Sequence, residues 1–242
     1  MSALATTTNK PPTFKTYKIL CDLDGVLVDF ESGCNTLFNG RSIPSISKNQ
    51  LWRGISQHGD FYNSLPWMAD GKELWSHIRP LQPDILTGLP MGGWATSQKV
   101  RWCQRELGCI INHVDMSGKG MKHSNVNGGI RRKDEGVINL ITCWSKNKHV
   151  ESCEGMILID DRADLGIDWS NAGGTFVHHV NTRETLKVLR GLGVLPEVDV
   201  KVGEDKVITG EYLDGMDLPP PVDDEEDCYE EGGDGIVVET TG

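Results

Sequence analysis

Three short apolar runs in this chain each stop at a polar cluster. Tyr17-Lys18-Ile19-Leu20-Cys21 leads into Asp22-Leu23-Asp24-Gly25, Asp84-Ile85-Leu86 into Thr87-Gly88, and Met156-Ile157-Leu158-Ile159 into Asp160-Asp161. Apolar runs of this length that break at turn residues read as strands buried on both faces. Between them lie segments of helical period. Ser97 to Leu107 places Val100, Cys103 and Leu107 on one face and stops at Gly108, and Asn181-x-x-Glu184 resembles a capping box opening a helix through Leu192. Further strands are expected at Ile110 to Val114, Val137 to Cys143 and Thr175 to His179, with a short helix from Ser145 to Cys153. Strands alternating with helices predict an α/β fold, a Rossmann-like parallel sheet covered on both faces.

Residues 31–80 break that alternation. Phe38, Trp52, Phe61, Tyr62, Trp67 and Trp75 are scattered among Gly, Ser and Asn with weak periodicity, which suits a small, mostly helical insertion after the first strand. The expected organisation is a lead-in over 1–16, a core over 17–30 and 81–196, the insertion over 31–80, and a tail over 197–242. Met1–Thr16 reads as a flexible lead-in, with an organelle-targeting peptide as the alternative. The net charge of −11 belongs to the tail, whose 16 acids against two lysines leave residues 1–196 slightly basic. That acid run and Pro219-Pro220-Pro221 predict disorder. No apolar run approaches the roughly 18 residues of a membrane-spanning helix, so no membrane partner is expected. The seven cysteines form no CxxC pair and no zinc-like spacing, which fits free thiols in a reducing, cytoplasmic compartment.

Open parallel sheets bind ligands at the carboxyl ends of their strands, so Asp22, Asp24, Thr87, Asp160 and Asp161 are expected to converge there. Four carboxylates in one place repel each other unless a cation sits among them, and hard oxygen donors favour Mg²⁺. Phosphoryl transfer suits such a set. One carboxylate attacks phosphorus, while the metal and Lys148 neutralise the phosphate oxygens. An acid two residues on is placed to protonate the departing alkoxide and then to deprotonate water.

The run Asp22-Leu23-Asp24-Gly25-Val26-Leu27-Val28-Asp29-Phe30 resembles the first motif of the haloacid dehalogenase-like (HAD) phosphohydrolases, and among them the 5'(3')-deoxyribonucleotidases. The likeness continues in Phe61-Tyr62-x-x-Leu65-Pro66, Ile85-Leu86-Thr87-Gly88 and Ile157-Leu158-Ile159-Asp160-Asp161-Arg162. The resemblance implies Asp22 as nucleophile and magnesium ligand, and Asp24 as general acid/base that also lends a backbone carbonyl to the metal. It implies Thr87, Gly88 and Lys148 as phosphate-binding residues, with Lys146 close enough to compete for the last role. Asp161 is then the remaining metal ligand and Asp160 its support. Residues 31–80 become a cap over the site, in which Phe61, Tyr62 and Trp67 either stack on a nucleobase or form the cap's own core.

Relative to that pattern the acidic tail is extra, and the chain departs from it in two further places. Ser117 to Gly136 looks like an insertion carrying Lys119, Lys122, Arg131, Arg132 and Lys133, and the Thr87-Gly88-Leu89-Pro90 turn lacks the Ser that usually follows the Thr. The function implied is a Mg²⁺-dependent phosphomonoesterase acting on a small phosphoester, a nucleoside monophosphate first. The alternatives are a polynucleotide end-phosphatase using the basic loop, another small-molecule phosphatase, and a non-catalytic binding protein with an acidic tail. His178-His179 is assigned no role.

Overall fold

The computed structural model describes residues 17–117 and 136–196. The expectations for the lead-in, for the interior of the basic loop and for the acidic tail lie outside those residues.

Six strands form one sheet in the order β3-β4-β2-β1-β5-β6, and every pairing is parallel. They are β1 (Lys18–Cys21), β2 (Asp84–Gly88), β3 (Ile110–Asp115), β4 (Val137–Cys143), β5 (Met156–Asp160) and β6 (Thr175–His178). The helices are α1 (Phe30–Leu37), α2 (Lys48–Gln57), α3 (Gly71–Ile78), α4 (Ala95–Glu106), α5 (Gly166–Asn171) and α6 (Thr182–Gly191). Chain order reverses at β1, which has β2 on one side and β5 on the other. The crevice at the carboxyl end of β1 is therefore the topological switch point.

The two-residue alternation of each strand divides the core between the faces of the sheet. Ile19, Ile85, Leu140, Ile157 and Ile159 join Leu74, Ile78, Trp102, Leu186 and Leu189 on the face covered by α3, α4 and α6. Leu20, Leu86, Ile141 and Leu158 meet Trp169 of α5 on the other. Helices thus cover both faces, as the alternating pattern implies. Asp84, fully buried at the amino end of β2, accepts hydrogen bonds from the Asn139 N–H (2.7 Å) and the Asn139 amide (3.1 Å), and Lys18 lies 3.2 Å away. That acid is structural and far from the strand ends where ligands bind.

Residues 31–80 hold α1, α2 and α3 and no strand of the sheet. Asp29 caps α1 by accepting from the Ser32 N–H, and Ser47 caps α2 by accepting from the Gln50 N–H. The chain between these helices and the sheet is pinned at both ends: the Asp29 N–H donates to Pro66 and the Met68 N–H to Leu27, 2.9 and 2.8 Å. α3 packs on α6, and Asp70 ahead of it accepts from the Thr182 N–H at 2.7 Å. Several boundaries differ from the sequence reading, most by a single residue. α4 starts at Ala95 rather than Ser97, and the helix after β4 is a 3₁₀ helix ending at Glu151. The capping box at Asn181 forms on its first half, with the Asn181 side chain accepting from the Glu184 N–H at 2.9 Å. No described helix is long and apolar enough to cross a membrane. The six described cysteines are free thiols, and burial raises Cys34 and Cys143 to about 12, too high for reactive thiolates at neutral pH.

Candidate active site

Strand register brings the polar clusters together. Cys21 pairs with Ile85 of β2 and Ile159 of β5, and the Asp22 N–H extends the ladder to the Ile159 carbonyl (2.9 Å). Asp22 therefore ends its strand beside Asp160. Thr87 and Gly88 end β2 in register with Thr142 and Cys143 of β4. After β4 the 3₁₀ turn Ser145–Glu151 folds back over this edge and delivers Lys148. Its ammonium lies 2.8 Å from Asp22 Oδ2 and 2.6 Å from Asp160 Oδ2, and all three side chains are buried. Lys146 is exposed. The choice between the two lysines is settled for position: Lys148 is the one beside Asp22.

Turn geometry behind Asp22 explains two glycines. The chain reverses tightly, with the Leu27 and Val28 N–H groups both donating to the Leu23 carbonyl at 2.9 Å. Gly25 sits at φ 79°, and a Cβ there would overlap the Asp161 carboxylate. At Gly88 a Cβ would strike the Ser145 hydroxyl. Only glycine lets these loops close on one another.

Carboxylate oxygens of Asp22, Asp160 and Asp161 lie within 4.8 Å of one another. Asp160 is fully engaged, holding Lys148 with one oxygen and the Arg162 N–H (2.9 Å) with the other. Asp161 makes no ion pair among the described residues, and Asp22 Oδ1 is buried without a hydrogen-bond partner. An orphaned anionic oxygen is costly to bury. Asp22 and Asp161 are thus the pair with oxygen to offer a hard cation, and the donor set fits Mg²⁺. The crowding has a titration signature. Loss of hydration, then the charge of Asp22, raises Asp160 to about 6. Asp161 keeps solvent on one side, yet loss of hydration and the charges of Asp22 and Asp160 raise it to about 7.

Asp24 leaves this cluster. Its Oδ2 accepts from the Lys99 ammonium at 2.6 Å, and Thr87 Oγ1 accepts from the same ammonium at 2.9 Å. Lys99 lies on α4, is 1% exposed and sits 4.5 Å from the Tyr62 ring centroid. Burial raises the Asp24 carboxyl despite the opposing pull of Lys99. Sequence reasoning missed Lys99. Its signal was available: Ala95, Gln98, Lys99, Trp102 and Cys103 form the buried stripe of α4, and a lysine in such a stripe needs a partner.

A cavity of about 510 Å³ opens on Asp22, Asp24, Gly88 and Asp161, and its far wall carries Phe30, Trp52 and Tyr62. Of the three aromatic candidates, only Tyr62 lines it. Phe61 is buried edge-on between Phe30 and Tyr62, with ring centroids 5.6 and 5.3 Å away. Trp67 packs on Trp102 at 5.0 Å and donates its indole N–H to Glu106 at 2.6 Å. Both pack among their neighbours, and neither lines the cavity. Trp52, 41% exposed, and Phe30 take those places on the wall. Thr87 is fully buried and off the cavity surface, so Gly88 is the β2 residue on the cavity wall. His178 accepts from or donates to no side chain here, but its Nε2 lies 3.0 Å from the Asp161 carbonyl.

No protein-family model matches the chain, and no curated protein matches it. Among solved structures, a haloacid dehalogenase-like family hydrolase from Streptococcus pneumoniae is similar at 12% identity and a TM-score of 0.39, over 74% of this chain and 99% of that one. A HAD family hydrolase from Deinococcus radiodurans R1 with bound phosphate and sodium is similar at 14% identity and a TM-score of 0.35, over 75% and 98%. Neither likeness bears on what this chain binds or turns over.

Proposed function

We propose that the chain is a Mg²⁺-dependent phosphomonoesterase of the HAD-like type, acting through an aspartyl-phosphate on Asp22 and taking a nucleoside monophosphate as substrate. One observation carries the reading: Lys148 bridges Asp22 and Asp160 at the switch point, while Asp22 Oδ1 and Asp161 remain free to hold a cation beside the cavity. Structural ion networks also bury lysines, but they do not leave an acid's oxygen unsatisfied at a cavity wall.

A carboxylate oxygen of Asp22 attacks phosphorus and the bond to the leaving oxygen breaks as Asp24 gives that oxygen a proton. A water oxygen then attacks the phosphoryl group, Asp24 takes the water's proton, and the bond to Asp22 breaks to return its carboxylate. Asp22, Asp161 and the Asp24 carbonyl would hold Mg²⁺, which would supply the charge neutralisation that lets an anion approach a phosphate dianion. Lys148 adds a second positive charge, and the Gly88 end of β2 offers backbone to a phosphate oxygen. The cavity is of ordinary small-molecule size, and the wall of Phe30, Trp52 and Tyr62 offers flat apolar faces to a base. Residues from Phe30 to about Met68 serve as the cap; α3, which packs on α6, belongs with the core. The free thiols suit a cytoplasmic setting.

Phosphate release from deoxy- and ribonucleoside 5'- and 3'-monophosphates, measured beside sugar phosphates with Mg²⁺ and with EDTA, tests this reading. Chelator-sensitive release, fastest from the nucleoside monophosphates, is expected. A preference for sugar phosphates would overturn the substrate, and no release from any of them would overturn the reaction.

Metal binding has its own readout. Asp160 and Asp161 titrate higher in the folded chain than the ordinary 3.8 of an unfolded one, so the folded state binds more protons between about pH 4 and 7. Stability of the metal-free protein therefore contains a contribution present below that window and lost as pH rises through it. Magnesium replaces the lost protons. At pH 7.5 and about 100 times its Kd it raises Tm by roughly 5–10 °C, and at pH 5 by far less. Equal shifts at both pH values would contradict the assignment.

A further inference from the structure

We propose that Lys99 is the positioning residue for Asp24, an inference that rests on the phosphatase reading above: it holds one oxygen of the Asp24 carboxyl so that the other faces the leaving group, although Lys99 itself never meets the substrate. Three elements converge on its ammonium. Asp24 comes from the turn after β1, Thr87 from the end of β2 and Tyr62 from the segment ahead of α3, at 2.6, 2.9 and 4.5 Å respectively. Asp24 and Tyr62 both line the cavity, whereas Lys99 and Thr87 do not.

Stability does not explain the arrangement. A buried ion pair gives little over an apolar pair of similar volume, and the rest of this stripe of α4 packs Ala95, Trp102 and Cys103. What the lysine supplies is fixed geometry. Asp24 sits on a turn with its side chain partly in the cavity, and untethered it would rotate freely between Asp22's side and solvent. Tied at Oδ2, it has a single oxygen left to present. An error of about 1 Å in such placement costs around two orders of magnitude in rate. The neighbouring Gln98 fixes the cap side of the same unit. Its amide oxygen accepts from the Tyr62 N–H at 2.8 Å, and its amide nitrogen donates to the Gly59 carbonyl at 2.9 Å. Two consecutive residues of one core helix thus set both the proton carrier and the wall that the leaving group meets.

The test uses the full chain with Mg²⁺ and phosphate monoesters whose leaving groups grow steadily more basic, from nitrophenol through phenol to an alkyl alcohol. Protonation by Asp24 matters little for a nitrophenolate and greatly for an alkoxide. In Lys99→Met, kcat on the nitrophenyl ester is expected to fall less than about 5-fold and on the alkyl ester about 100-fold, with KM little changed. Lys99→Arg, which keeps a charged donor, should show the same selectivity with a smaller loss, and it serves if the Met variant does not fold. Adding Lys99→Met to Asp24→Asn should cost less than about 3-fold more, because the lysine acts through that carboxylate. A uniform loss across the series, or a full additional loss in the Asp24→Asn background, would overturn the role of Lys99 and leave the phosphatase reading standing. A wild-type protein that turns over none of the esters would overturn both.

Discussion

Asp22→Asn yields a folded protein whose phosphatase turnover is down by at least about 10⁴-fold, because the amide cannot form the acyl phosphate and no other group at the strand ends is placed to replace it. The side chain keeps its shape, so packing against β5 and β2 survives. Removing one charge also relieves the crowding that raises Asp160 and Asp161. Lys148 keeps Asp160 as a partner at 2.6 Å. The melting temperature of the metal-free variant should thus stay within a few degrees of the wild type, and its gain on adding magnesium should shrink. Circular dichroism melts beside a phosphate-release assay separate these readouts. Undiminished turnover would reject the nucleophile, and a collapse of the fold would show that the acid is mainly structural.

The second large effect belongs to Lys148. Burial alone would lower its pKa, but the charges of Asp22 and Asp160 overcome that and hold the ammonium well above its ordinary range. Lys148→Met removes the cation and leaves two buried carboxylates facing each other with nothing between them. Breaking a buried pair in this way costs about 3–5 kcal/mol, on the order of 10 °C in Tm for a chain of this size. The penalty should diminish as the pH falls through about 6, where Asp160 takes a proton, and magnesium should recover part of it. Activity should be lost as well, since on the proposed mechanism the same charge neutralises the phosphate oxygens. A Tm within about 2 °C of the wild type at pH 7.5 without metal would contradict this account of the cluster.

The strands were legible because burial on both faces leaves little choice of residue. Ile85-Leu86 and Leu140-Ile141 are apolar whichever way they point; β4 could be bounded from the sequence to the residue, whereas β2 runs through the expected turn to Gly88. The convergence of Asp22, Thr87, Asp160 and Asp161 followed from the rule that parallel strands present their carboxyl ends to one edge; Lys148 reaches it from the 3₁₀ helix after β4. What the sequence concealed depended on side-chain direction. In α4 the stripe Val100, Cys103, Leu107 does face the core, but the buried face is wider and also takes in Gln98, Lys99 and Trp102. Periodicity counts Gln98 and Lys99 as solvent-facing, but Lys99 finds the Asp24 carboxylate and the Thr87 hydroxyl, and Gln98 finds the Tyr62 N–H and the Gly59 carbonyl. The sequence left the aromatics of residues 31–80 open between the cavity wall and packing for the same reason. Phe61 and Trp67 carry the right chemistry for stacking, yet Phe30, Tyr62 and Trp102 already cover them. Composition cannot say which ring in a cluster faces outward.

The central claim is that phosphate passes through the Asp22 carboxylate. Acid-quenching the Asp24→Asn variant during turnover of an activated aryl phosphate, with magnesium present, slows release of the covalent species enough for it to be mapped by peptide mass spectrometry. A phosphoryl group on the peptide containing Asp22, absent when Asp22 is also replaced by Asn, is the predicted result. Phosphate released from a competent enzyme with no covalent species at any time, or a label on another residue, would contradict it.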